Sequence, residues 1–185
     1  MVEISNAEAT LLGLLSEQPM YPYQIEQEIK YRDMRFWTEL SMSSIYKLLH
    51  KLEKETFVTR TNKISSENRV HTLYTLSDSG KKKLQEKIES LLSKPEHNRW
   101  QIDIGIYNSN LISDEKVKKA LAKYRLALRK KIQEYEELLK FLQDSKCPSY
   151  RFEVANRPVF LLKGELQWVD SYLNKIKSSP NTKEK

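Results

Sequence analysis

The sequence is poor in the residues from which active sites are usually built. Cys147 is its one cysteine, so no internal disulfide and no CxxC site can form, and a lone thiol suits a reducing cytoplasm. The only glycines are Gly13, Gly80, Gly105 and Gly164, and none are grouped into a loop that could cradle phosphate. His50, His71 and His97 stand far apart, in no metal-ligand spacing such as HExxH. Long apolar runs are missing too, since nothing nears the ~18 to 20 consecutive residues of a membrane span. The opening MVEISNAEATLLGLLSEQ carries Glu3 and Glu8 where a signal peptide needs basic residues. The expectation is a cytoplasmic protein that is not an enzyme, with no metal, no cofactor and no membrane partner.

What the chain does have is charge, and its placement matters more than its total. Charged residues make up 31% of the 185, with a formal net charge of +7, a balance that invites an anionic partner such as nucleic acid. Residues 1–90 hold 13 basic and 13 acidic side chains, and residues 91–185 hold 19 and 12. Within the neutral half, residues 1–40 carry 3 basic groups against 7 acidic ones, and residues 41–90 carry 10 against 6. The stretch SMSSIYKLLHKLEKETFVTR therefore opens the basic part of that half.

Hydrophobic periodicity sets the order of elements. Asn6 is placed to cap a first helix with Ala9, Leu11, Leu12, Leu14 and Leu15 on its buried face, and Pro19 stops it. A second helix follows Pro22, with Ile25 and Ile29 on one side. MRFWTEL has the aromatic and β-branched content of a short strand. Ser41 caps a third helix in which Ile45, Leu48, Leu49 and Leu52 recur at intervals of three and four. FVTRT and VHTLYTL read as a hairpin joined by the polar NKISSENR, and Ser77 caps a fourth helix with Leu84, Ile88 and Leu91 inward. Helix, helix, strand, helix, strand, strand, helix is the order of a winged helix-turn-helix.

That layout gives the third helix a physical job. Ser43 and Ser44 are small enough for its N-terminal end to approach a duplex, where hydroxyls and free backbone N–H groups suit phosphate oxygens. Tyr46, Lys47 and Lys51 lie off the apolar face, placed to meet base edges or backbone in the major groove. Arg60, Lys63 and Arg69 flank or occupy the hairpin, where a wing reaches an adjacent groove. On an isolated helix the same residues would be an ordinary solvated face; the third position in a winged layout, followed by a basic hairpin, favours DNA.

These segments resemble the PadR family of bacterial transcriptional regulators. AEATLLGLLSEQPMYPYQIEQEI is similar to the family's leading helix pair, LSMSSIYKLLHKLEKETFV to its recognition helix and following strand, and RVHTLYTLSDSGKKKL to its wing strand and the entry to the next helix. FLLKGELQWVDSYLNKI is similar to its terminal dimerisation helix. The resemblance implies recognition-helix positions for Ser43, Ser44, Tyr46 and Lys47, a wing position for Arg69, and a packing role for Tyr74. It also implies homodimers on inverted-repeat operators, commonly repressors, some of them released by small aromatic or amphipathic ligands. Pro22 and Thr56 stand where the family usually has glycine, and at Thr56 this implies a different exit from the recognition helix. His71 and Thr72 stand where the family is often more basic.

Beyond a hinge at KPEHN, residues 100–107 read as a short helix. Ser113, followed by Asp114 and Glu115, starts the longest periodic segment, with Val117, Leu121, Tyr124, Leu128, Tyr135, Leu139 and Leu142 at near-heptad spacing up to Cys147 and Pro148. A last helix carries Leu162, Leu166, Val169, Leu173 and Ile176, with Pro158 near its start or kinking it, and SSPNTKEK is a disordered tail on composition. Such seams bury poorly in one hairpin of two helices, and helices from a second copy solve this. Leu121, Leu128, Leu162, Leu166, Val169 and Leu173 are therefore the expected dimerisation residues. The two recognition helices would then sit about one duplex turn apart, ~34 Å. Trp100, Tyr107 and Trp168 either line a pocket for a flat apolar molecule or, more commonly for tryptophan in such a helix, anchor packing.

The sequence thus reads as a mostly α (α+β) chain. Residues 1–94 form a winged helix-turn-helix, residues 95–178 a long-helix dimerisation domain and residues 179–185 a tail. The expected function is repression through double-stranded DNA as a homodimer, with a small-molecule effector as a further partner. The alternative is a helical adaptor whose winged module binds protein.

Overall fold

Ser5 rather than Asn6 caps the first helix. Its hydroxyl accepts the Glu8 N–H at 3.2 Å, and the Glu8 carboxylate accepts the Ser5 N–H at 2.7 Å. This is a reciprocal capping box, and helix α1 runs Asn6–Leu15. The computed structural model of the chain describes residues 3–64 and 70–178, with side chains through residue 176. Arg69 and the tail at 179–185 lie outside the described residues.

Helix α2 (Pro22–Tyr31) starts on a proline, where a missing N–H leaves no bond unmade. The strand expected in MRFWTEL is instead a single 3₁₀ turn, Met34–Phe36. It is entered through Asp33 at φ 48 and anchored by buried Met34. Aromatic content favoured a strand, but among the described residues no neighbouring strand pairs with this stretch. A second pairing is made outside the two strands by Met20, which exchanges both backbone hydrogen bonds with Tyr74 at 3.0 Å. Helix α3 (Met42–Lys54) is capped by Ser41. Strands β1 (Val58–Ile64) and β2 (Val70–Leu76) then pair antiparallel from Val58↔Leu76 to Ile64↔Val70. Helix α4 (Asp78–Ser93) is capped by Ser77.

The core of this part joins Leu11 and Leu12 of α1, Ile25 and Ile29 of α2, and Ile45, Leu49 and Leu52 of α3, all fully buried, to Val58, Tyr74 and Leu84. Of the three α4 residues expected inward, only Leu84 is buried. Ile88 and Leu91 remain nearly half exposed, because the core against α4 ends at Leu84.

Thr56 ends α3 in the left-handed conformation, φ 61. The Phe57 N–H donates to the Leu52 carbonyl at 2.9 Å and the Thr56 N–H to the Glu53 carbonyl at 3.0 Å, which is the Schellman closure a glycine would make. The different exit implied by a non-glycine residue is therefore not found. The Thr56 carbonyl is held by the Ser77 and Ser79 hydroxyls, each at 2.7 Å. Gly80 seats α4 against the same junction, where a Cβ would run into the Phe57 carbonyl.

The chain divides into two units, Met1–His97 and Asn98–Lys185. The second contains α5 (Gln101–Tyr107), a 3₁₀ turn (Ser109–Leu111), α6 (Asp114–Asp144) and α7 (Ser149–Ser178). Helices α6 and α7, of 31 and 30 residues, are each roughly 45 Å long. Pro158 lies inside α7, in its third turn, and not at its start. Val117, Leu121 and Leu128 of α6 pack with Val169 and Leu173 of α7, edged by Tyr124, Leu162, Leu166, Tyr172 and Ile176. Leu121, Leu128, Val169 and Leu173 thus need no second chain for their burial, and Leu162 and Leu166 pack beside them. A heptad seam calls for a partner helix without saying which chain supplies it. The outward apolar residues of α7 are different ones: Tyr150, Val154, Phe160, Leu161 and Trp168, 36% to 71% exposed. No helix among the described residues is long and apolar enough to cross a membrane.

Candidate nucleic-acid interface

The outer edge of α3 follows from its inner one. With Ile45, Leu49 and Leu52 fully buried, the 3.6-residue period turns Ser43, Lys47, His50 and Lys54 away from the core, and all four are exposed. Tyr46 is 52% exposed beside them. At the helix start the Ser41 hydroxyl accepts the Ser44 N–H at 3.2 Å and lies 2.8 Å from the Ser44 hydroxyl and 3.1 Å from that of Ser43. The three serines therefore form one hydroxyl cluster at the positive end of the helix.

Arg60, on β1, reaches back to α3, with its Nε 2.8 Å from Glu53 Oε1. His50 Nδ1 lies 3.2 Å from the other Glu53 oxygen. Glu53 thus ties β1 to α3, a role that the sequence reading did not assign. Its signal was an acidic residue among basic ones on an outward face. Lys63 is exposed on β1 opposite His71. Tyr74 is buried, in keeping with packing rather than contact.

Lys51 is placed differently from the other candidates. Its Nζ lies 2.7 Å from Oε1 of Glu8, a fully buried carboxylate on α1, and 3.9 Å from Glu55. The hydrogen bond and charge of Glu8, partly opposed by desolvation, hold the Lys51 ammonium above the usual lysine range.

In the second unit Trp100 and Trp168 line one open cavity of about 180 Å³ together with Ile102, Asp103, Ile106 and Glu165. Tyr107 does not join them and is 88% exposed. Trp168 stacks on Tyr172 at a centroid distance of 5.6 Å, and Glu165 accepts the Tyr124 hydroxyl at 3.3 Å. Among the described residues no group of three or more His, Cys, Asp or Glu side chains is arranged to hold a metal ion.

Residues 11–86 match the family model for the transcriptional regulator PadR-like family. No curated protein matches the chain. Among solved structures it is similar to Bacillus subtilis PadR in complex with operator DNA, at 24% identity and a TM-score of 0.73, over 91% of this chain and 98% of that one. The same Bacillus protein in complex with p-coumaric acid gives 23% and 0.74, over 93% and 96%. The Vibrio cholerae virulence activator AphA gives 18% and 0.62, over 94% and 99%. PadR-family proteins are transcriptional regulators and not enzymes. The match runs from within α1 through α2, the Schellman-closed α3 and the hairpin into α4, so residues 11–86 are similar to the PadR-like family domain, and the chain has the mostly α, winged-helix fold of the solved PadR regulators.

Proposed function

We propose that the chain is a sequence-specific DNA-binding repressor that acts in the cytoplasm as a homodimer on an inverted-repeat operator. The observation that carries this reading is the division of α3, where Ser43, Tyr46 and Lys47 are exposed while Ile45 and Leu49, interleaved with them, are fully buried. The serine cluster and the helix N-terminus meet phosphate, Tyr46 and Lys47 enter the major groove, and Lys63, Arg69 and the exposed part of Arg60 meet the backbone along the wing. The operator-bound structure of Bacillus subtilis PadR supports duplex DNA as the partner.

In this reading residues 1–94 bind DNA and residues 95–178 dimerise. The apolar face of α7 that the hairpin leaves uncovered, Tyr150, Val154, Leu161 and Trp168, is the surface for a second copy, because a closed two-fold pairing removes such a face from water. The cavity between Trp100 and Trp168 is the seat of an effector. The complex of Bacillus subtilis PadR with p-coumaric acid supports an aromatic one. Asp103 and Glu165 in its wall oppose a third negative charge, so a flat ring without a carboxylate fits this cavity best.

The test is a genome-wide footprint to find the bound sites, followed by titration of one site against salt. Affinity should fall with a slope near −0.9 per phosphate contacted, and a reporter gene behind the site should rise when the protein is deleted. Binding to duplex DNA that ignores salt, or no binding at all, refutes the reading.

A further inference from the structure

Building on the DNA-binding reading, we propose that Glu8 is a specificity-determining residue, a buried counter-ion that withholds the Lys51 ammonium from the DNA backbone. Lys51 lies on α3 two turns beyond Ser44, so the two share a flank of the helix. A lysine on that flank ordinarily acts as a point charge for any phosphate within reach. Here the side chain is half exposed, yet its Nζ is turned inward to Glu8 Oε1 at 2.7 Å.

The pairing is far more binding on Glu8 than on Lys51. The Glu8 residue is fully buried, and its Oε2 is committed to the Ser5 N–H. Oε1 accepts no hydrogen bond beyond the ionic contact with Lys51. A carboxylate taken out of water is tolerated only with a counter-charge. If Lys51 left for a phosphate, that carboxylate would stand uncompensated in the core, at a cost well above what one solvent-exposed phosphate contact returns. Lys47, one turn earlier, has no ion pair among the described residues and stays available to the duplex.

Phosphate contacts strengthen binding to every sequence, whereas base contacts strengthen it only on the right one. Withholding one backbone contact therefore lowers non-specific affinity more than it lowers discrimination. Glu8 acts on DNA recognition without touching DNA.

Glu8→Gln keeps the shape of the side chain and its bond to Ser5 while removing the charge that holds Lys51. The full-length variant, titrated with a random-sequence duplex from about 50 to about 200 mM salt, should bind more tightly than wild type at the low end. It should also lose about 3.5-fold more affinity across the range, because the slope steepens by about 0.9. The double variant E8Q/K51M should return to the wild-type slope. Equal slopes for wild type and a cooperatively melting E8Q would overturn the proposal. If E8Q does not fold, NMR of the lysine ammonium groups in wild type decides: on adding duplex the Lys47 signal should move and the Lys51 signal should not, and a shifted Lys51 signal overturns it. Wild-type protein without any salt-dependent duplex binding would instead sink the DNA-binding reading, and this proposal with it.

Discussion

The Ser77 hydroxyl donates to the carbonyl of Thr56 at 2.7 Å. Through that bond the residue that closes α3 also seats the first turn of α4. The Ser79 hydroxyl adds a second bond of the same length, and Thr56 stays at φ 61 although it is β-branched. A left-handed conformation costs such a residue about 1–2 kcal/mol.

Thr56→Gly should therefore stabilise the first unit. Relief of that strain is offset by about 0.5–1 kcal/mol from the greater freedom of an unfolded glycine. The net gain should be about 0.5–1 kcal/mol, read as a higher urea midpoint at unchanged slope. Ser77→Ala removes both the α4 cap and one bond to Thr56, and should lower stability by about 1–2 kcal/mol. An unchanged midpoint for Thr56→Gly would show that Thr56 is not strained, and one for Ser77→Ala that its cap and its bond to Thr56 add nothing to stability.

Tyr46→Ala and Lys47→Ala should each weaken operator binding about tenfold, or ~1.4 kcal/mol, with no change in melting temperature, since neither side chain packs in the core. The salt slope separates their roles. A Lys47 that meets phosphate should flatten it by about 0.9 on removal, and one that meets a base edge should leave it alone.

Leu161→Asp and Val169→Asp distinguish the two faces of α7. Leu161 is 46% exposed and Val169 is fully buried. The first variant should sediment as a monomer of unchanged helix content. The second places a charge inside the hairpin, and should unfold the second unit before it reports on assembly. Dimers that persist in Leu161→Asp would put the contact on another face.

Acid should weaken the first unit through Glu8. Burial pushes its carboxyl upward, but Lys51 and the two bonds with Ser5 together bring it below the ordinary glutamate value. A carboxyl whose folded pKa lies below its unfolded one contributes stability above the unfolded value and loses it as pH falls through the folded one. Urea unfolding from pH 7 down to about pH 3 should show wild type losing stability more steeply than Glu8→Gln, with the gap between them closing below about pH 4. Parallel curves would mean that the pair adds nothing on folding.

Much of this fold was legible because caps and periods are local. Ser41, Ser77 and Ser113 begin their helices as their side chains dictate, and two strand-like runs, FVTRT and VHTLYTL, joined by a polar connection place a hairpin. The Ser5 cap was legible too, as S-x-x-E, but Asn6, an equally good capping type one residue on, hid it. MRFWTEL misleads because strand-like composition does not supply a neighbouring strand. The hairpin leucines misled for a related reason: periodicity specifies that a face must be covered and is silent on which helix covers it. The pairing of Lys51 with Glu8 was not legible because a helical wheel assigns a flank without its reach, although one sign was available in AEATLL, a glutamate amid a run destined for the core.

The Arg60 contact with Glu53 bears on what kind of site the domain can measure. A hairpin fixed to the helix beside it works as a calliper with a locked opening. On the proposed DNA-binding reading, the distance between what the helix touches and what the hairpin touches is then biased by the protein itself, so a half-site lengthened by one base pair should be bound more weakly than one of the matching length.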